Sequence, residues 1–172
     1  MLFLNWIVYW EVDLLFQVGD KVVYPMHGAG IIEAIEEKEI LGEKENYYVI
    51  HMSIGSMQLL VPVGKVSALG IRLVVDQSTM ENVLDTFHNG QPDTSLPWSQ
   101  RYRLNMDKMR TGTTCECAEV VRDLMRRRQE KALNSSEKKM LDSAKKILIS
   151  ELVLVNGVTE AEAKHLLDDE TE

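Results

Sequence analysis

The stretch that decides the fold runs from Val74 to Phe87 and reads VVDQSTMENVLDTF. Ser78 and Glu81 have the spacing of a capping box, in which a hydroxyl and a carboxylate satisfy free backbone N–H groups at a helix start. Apolar residues then recur at helical spacing, at Met80, Val83, Leu84 and Phe87. We therefore predict that a helix begins near Ser78, and that the chain changes from strands to helices close to residues 74–76.

Upstream of this change, residues 16–73 read as short strands separated by turns that contain Gly or Pro. Their β-branched and aromatic residues are typical of strands. The predicted strands cover residues 21–24, 31–40, 47–52 and 57–61. Four strands in such a short segment predict a small, strongly bent sheet or barrel.

Downstream, each apolar stripe begins at a capping residue and ends near a glycine, which is typical of consecutive helices. The predicted helices after the first cover residues 98–110, 114–133 and 135–156, with a short fifth helix after Thr159. The second half is therefore predicted to be compact and all-helical, with about five helices in total.

Composition excludes several classes of protein. The chain has 172 residues, 45% of them hydrophobic, so it can fill real cores and is not predicted to be disordered. Its two cysteines cannot form a disulfide framework, which favours a cytoplasmic protein over a secreted one.

Residues 1–15 begin with an apolar run, but Glu11 and Asp13 interrupt it well before the ~20 residues needed to span a bilayer. We expect these residues to be an extension rather than a membrane anchor.

Signals for enzymatic chemistry are weak. Gly28 and Gly30 have part of the spacing of a dinucleotide loop, but a strand follows them where that loop requires a helix. Cys115 and Cys117 lie two residues apart on a predicted helix, so their side chains diverge and cannot readily share a tetrahedral metal. We expect no enzymatic activity, no cofactor, no metal and no small-molecule ligand.

The clearest chemical signal is a basic block. Although the chain carries a formal net charge of −8, residues 98–150 hold 13 Lys and Arg against 7 Asp and Glu. Taken alone, this block is equally compatible with a nucleic-acid-binding surface and with an ordinary solvated helical surface. Trp98 favours a nucleic-acid surface, because an indole beside arginines resembles the wedge that minor-groove proteins insert between base steps. An isolated tryptophan is otherwise more often a core residue.

Four stretches resemble one family, the CarD/CdnL bacterial transcription regulators. The first, residues 16–30, reads FQVGDKVVYPMHGAG. The others lie in the predicted helices and read WSQRYR at 98–103, AEVVRDL at 118–124 and SEKKML at 136–141. The likeness extends from Phe16 to about Asp168, so residues 1–15 lie outside it.

The resemblance implies a two-domain protein. A Tudor-like (SH3-like) β-domain at 16–74 would bind the β subunit of RNA polymerase. A helical domain at 75–168 would bind promoter DNA at the upstream edge of the melted region and stabilise the open complex, and 169–172 would be an acidic tail. The protein would be a cytoplasmic monomer that reaches the nucleoid through polymerase.

The resemblance also implies site residues. Trp98 matches the wedge residue of the family, and the basic positions are matched by Arg101, Arg103 and Lys138. Strand addition at a sheet edge would place Lys38, Met57 and Leu60 at the polymerase contact. Two positions depart from some relatives, since Leu60 replaces an arginine and Gln100 replaces a basic residue.

Two other functions stay open at this point. The basic helices would also suit a stand-alone, sequence-specific repressor or activator that binds an operator. A polymerase-binding fragment of a nucleic-acid enzyme is a further alternative, although the chain has no Walker signature. Tight, sequence-selective binding to free duplex DNA would favour the operator-binding protein.

Overall fold

The computed structural model describes residues 15–91 and 95–168. Within these residues an antiparallel sheet is followed by five α-helices, so the predicted α+β fold class is confirmed. Of the predicted N-terminal extension only Leu15 is described, and the predicted acidic tail at 169–172 lies wholly outside. None of the described helices is long and apolar enough to cross a membrane.

The sheet has the strand order β4-β3-β2-β1-β5, and all its neighbours are antiparallel. The strands are β1 (Lys21–Tyr24), β2 (Gly28–Ile40), β3 (Glu43–Met52), β4 (Gln58–Pro62) and β5 (Arg72–Leu73). The prediction of four strands was wrong by one, because β5 has only two residues and no alternation to detect. A short 3₁₀ turn at Val63–Lys65 follows β4.

One face of the sheet forms the core of the β-domain, around Tyr48 and Ile50. The Tyr48 hydroxyl is fully buried and both donates to the Phe16 carbonyl and accepts from the Phe16 amide, each at 3.0 Å. These bonds satisfy a polar group that burial would otherwise penalise. They also tie the start of the family-like sequence into the sheet.

The helices are α1 (Gln77–Asn89), α2 (Trp98–Thr111), α3 (Thr114–Glu130), α4 (Ser135–Asn156) and α5 (Glu160–Asp168). Helix α3 ends three residues earlier than predicted. The predicted capping box at Ser78 is also wrong, because the N-cap of α1 is Asp76. Its carboxylate accepts a 2.7 Å hydrogen bond from the Thr79 amide, and this bond and that of the Thr79 side chain lower the pKa of Asp76.

The long helix α4 joins the two halves of the molecule. Ser150 lies in the second turn from the C-terminus of α4, and its hydroxyl accepts a 2.8 Å hydrogen bond from the Ala29 amide. A side chain at Gly28 would meet the same hydroxyl at 2.9 Å, so the glycine permits this close approach. The sheet and the helices therefore pack directly against each other along β2.

Candidate nucleic-acid and protein interfaces

Trp98 is the first residue of α2 and follows Pro97, which starts the helix. The indole is 43% exposed, so the interpretation of Trp98 as a core residue is wrong. Its ring stacks on that of Tyr102, one helical turn later, with 5.6 Å between centroids and 28° between planes. The exposed indole of Trp98 is thus held against the ring of Tyr102 at the start of α2.

The basic residues near Trp98 differ in their surroundings. Arg103 and Lys138 are exposed. Arg101 is half-buried, and its guanidinium donates to the Leu96 carbonyl in the loop before α2. Arg101 therefore fixes the loop before α2. Its guanidinium is less available to a phosphate than the side chains of Arg103 and Lys138 are.

A groove between α2 and α4 is lined by residues adjacent to two of the predicted DNA-binding positions, Trp98 and Lys138. Tyr102, on which Trp98 stacks, lines one wall, and Lys139, next to Lys138, lines the other. Sequence reasoning did not single out Tyr102 or Lys139. The four-residue spacing from Trp98 is the signal that could have identified Tyr102.

Other cations of the basic block hold the helices together instead of forming an open surface. Arg122 is 7% exposed and pairs with Asp123 at 2.8 Å. Arg126 donates to the carbonyls of His88, at 2.9 Å, and Gly90, at the C-terminal end of α1. Cations stabilise this end of a helix, where the last carbonyls lack partners. The basic block is therefore neither wholly solvated nor one continuous DNA-binding surface, because some of its cations pair with groups inside the helical domain and others are exposed.

In the β-domain, β4 is an edge strand. Its inner side pairs with β3, and its outer side pairs with no strand in the portion of the chain that the structure describes. Met57, just before the strand, and Leu60, within it, are 42% and 47% exposed. An open edge with apolar side chains is suited to accepting a further strand from a partner.

Lys38 and Leu60 lie on the same face of the sheet. Leu60 is opposite Val49, Lys38 is opposite Glu45, and β3 residues alternate faces between these two positions. The Lys38 ammonium also forms a 2.8 Å ion pair with Glu36. Lys38 is therefore one cation among carboxylates, and this part of the face is acidic overall.

The cysteines diverge as predicted. Cys115 is exposed and Cys117 is buried, and burial raises the pKa of the Cys117 thiol to about 12. Residues 15–91 and 95–168 contain no group of three or more His, Cys, Asp or Glu side chains that could hold a metal ion.

Comparisons with known proteins agree with this two-part arrangement. Residues 16–75 match the CarD-like/TRCF RID domain, and residues 82–168 match the CarD, C-terminal domain. The chain is also 56% identical over 150 residues to a Bacillus subtilis (strain 168) protein named "Putative transcription factor YdeB". That match covers 87% of this chain and 98% of the relative. The two domains and the close relative together show that the chain belongs to the CarD family.

Proposed function

We propose that this protein regulates transcription initiation by binding the RNA polymerase β subunit and promoter DNA at the same time. The helical domain contacts DNA at the upstream edge of the bubble and stabilises the open complex. The observation that carries the proposal is the exposed indole of Trp98, stacked on Tyr102 at the start of a helix with an exposed arginine.

The polymerase contact is assigned to the free edge of β4. Met57 and Leu60 supply apolar contacts there, and Lys38 lies on the same face as Leu60. The match of residues 16–75 to the CarD-like/TRCF RID domain supports this assignment. Main-chain hydrogen bonds from an added strand do not depend on an arginine at position 60, so the leucine there shifts the contact towards apolar packing.

The DNA contact is assigned to Trp98, with Arg103 and Lys138 binding phosphates and Arg101 positioning the loop before α2. A wedge in the minor groove partly unstacks a base step, which costs a few kcal/mol. An already melted edge reduces that cost, so the indole stabilises open DNA more than closed duplex. The protein acts as a monomer here, with each domain making one of the two contacts.

The test is recruitment of the full chain to promoter DNA in the presence and absence of polymerase. We expect tight binding only when polymerase is present, because cations such as Arg122 and Arg126 are engaged within the helical domain, and the protein alone should bind duplex weakly and with little sequence preference. Failure of the full chain to bind the isolated β subunit at moderate salt would contradict the proposal. Binding that is tight and sequence-selective without polymerase would instead favour the stand-alone operator-binding protein.

A further inference from the structure

A groove with a volume of about 180 Å³ lies between α2 and α4, directly beside Tyr102. Methionines from three parts of the chain line it, namely Met106 and Met109 from α2, Met140 from α4, and Met26 from the turn between β1 and β2. Thioether side chains are flexible and polarizable, so such a lining adapts to flat apolar rings of different shape. The volume is below the roughly 300–1,000 Å³ of pockets that take drug-sized ligands. A single ring system is therefore a better fit than a whole small molecule.

The rim of the groove is polar and basic. The hydroxyl-bearing residues Ser136 and Ser143 and the cation Lys139 line it from α4. A hydroxyl can both donate and accept a hydrogen bond, which suits the edge of any base. The ammonium supplies the charge that a neighbouring phosphate requires.

Met26 is held at the groove by an unusual backbone. Its φ is +68°, a left-handed conformation that residues other than glycine rarely adopt. The preceding Pro25 packs against Gly112 at the end of α2, where a side chain in place of the glycine would approach the proline ring to 2.9 Å. The turn is thus packed against α2, and Met26 remains 40% exposed while lining the groove.

We infer that this groove binds one unpaired base of DNA, from the strand separated next to Trp98. The inference rests on the proposed function, in which Trp98 enters DNA at the upstream edge of the bubble. Two observations favour a base over a protein side chain. The groove shares Tyr102 with the Trp98–Tyr102 stack, and the cation Lys139 lines it from α4. Aromatic side chains combined with cations are the usual elements of single-strand binding.

The experiment compares two DNA probes with the full chain at low salt. One probe is a fully paired duplex, and the other is a duplex of the same length that ends in a single-stranded fork. We expect the forked DNA to bind roughly ten-fold more tightly, as one captured base would provide. Ser143→Phe fills the groove and should remove the roughly ten-fold gain, leaving only the smaller preference for a melted edge that Trp98 itself provides. Ser135→Phe adds the same ring at an exposed position outside the groove lining and should leave the preference unchanged.

The outcomes separate this inference from the proposed function. Duplex binding that Trp98→Ala weakens, without any preference for the fork, would overturn the groove assignment alone. No binding to either DNA would overturn it together with the DNA contact of the proposed function. A fork preference that Ser143→Phe leaves unchanged would overturn the inference, and weakened polymerase binding in the same variant would assign the groove to a protein side chain. If Ser143→Phe lowers the melting temperature, Lys139→Gln replaces it, and an unchanged fork preference in that variant also overturns the inference.

Discussion

Arg72 on β5 and Glu151 on α4 form a two-bond ion pair across the junction of the two domains. The bonds measure 2.8 Å from Nη1 to Oε1 and 3.0 Å from Nη2 to Oε2. Glu151 is 1% exposed, and its carboxylate also accepts from the Thr114 hydroxyl at 3.0 Å and the Val75 amide at 3.1 Å. These contacts connect β5, α3, α4 and the segment before α1. They therefore bind the β-domain, with its proposed polymerase contact, to the helical domain, with its proposed DNA contact.

Replacing Glu151 with Gln should destabilise the protein, because it leaves the Arg72 guanidinium without its counter-charge. We expect a loss of about 2–3 kcal/mol, less than the roughly 3–5 kcal/mol of a fully buried pair, since the Arg72 side chain is 25% exposed. Unfolding in urea measures the change. Lys164→Gln breaks the exposed Lys164–Glu160 pair and should cost no more than about 0.5 kcal/mol. Equal effects of the two variants would show that the junction does not depend on the ion pair.

Lys38→Glu should weaken binding to polymerase several-fold, mainly through slower association, because it places a third carboxylate beside Glu36 and Glu45. Surface plasmon resonance with the β subunit measures both rates. The matched control is Lys44→Glu, which makes the same charge change in the same hairpin. Lys44 is exposed and belongs to the opposite face, because it is adjacent to Glu45 in β3. A larger effect of the Lys44 variant would move the polymerase contact to the other face.

Arg103→Ala should lower DNA affinity and reduce the slope of log affinity against log salt by about 0.9, as expected for one lost phosphate contact. Thermal stability should not change, since Arg103 is exposed. Fluorescence anisotropy at several salt concentrations provides the slope. Lys65→Ala removes an exposed cation from the β-domain and should leave the slope as it is. An unchanged slope for Arg103→Ala would remove this residue from the DNA contact.

Iodoacetamide should modify Cys115 in the native protein and spare Cys117. A pKa of about 12 keeps the buried Cys117 thiol neutral between pH 7 and 9, and raising the pH within this range should not expose a thiolate. Mass spectrometry should find one modification in the folded chain and two after denaturation. Native modification of Cys117 at a rate similar to that of Cys115 would contradict its burial.

The fold class was predictable because strand-like and helical patterns occupy separate halves of the chain. The residues that cap individual helices are harder to predict from the sequence. The sequence pattern predicts Ser78 as the cap of α1, but the carboxylate two residues earlier, on Asp76, is the group that accepts from the Thr79 amide. Both residue types favour caps, so sequence alone does not decide between them.

The candidate site was predicted mainly through the family resemblance. The exposure of Trp98 and its stacking on Tyr102 depend on how α2 packs, which no spacing in the sequence specifies. The partners of Arg126 are carbonyl groups 36 and 38 residues away in the chain. A count of basic residues therefore overestimates the cations that DNA can reach.

If Trp98 stabilises open promoter DNA as proposed, the Trp98→Ala variant should shorten the lifetime of the open complex, and this lifetime is the most direct test. The measurement follows the decay of the open complex after addition of a competitor, with polymerase affinity and melting temperature determined in parallel. We predict a lifetime shortened roughly ten-fold, equivalent to about 1.4 kcal/mol of lost interaction, with polymerase affinity and melting temperature unchanged. A wild-type lifetime in a fully polymerase-bound variant would contradict the claim.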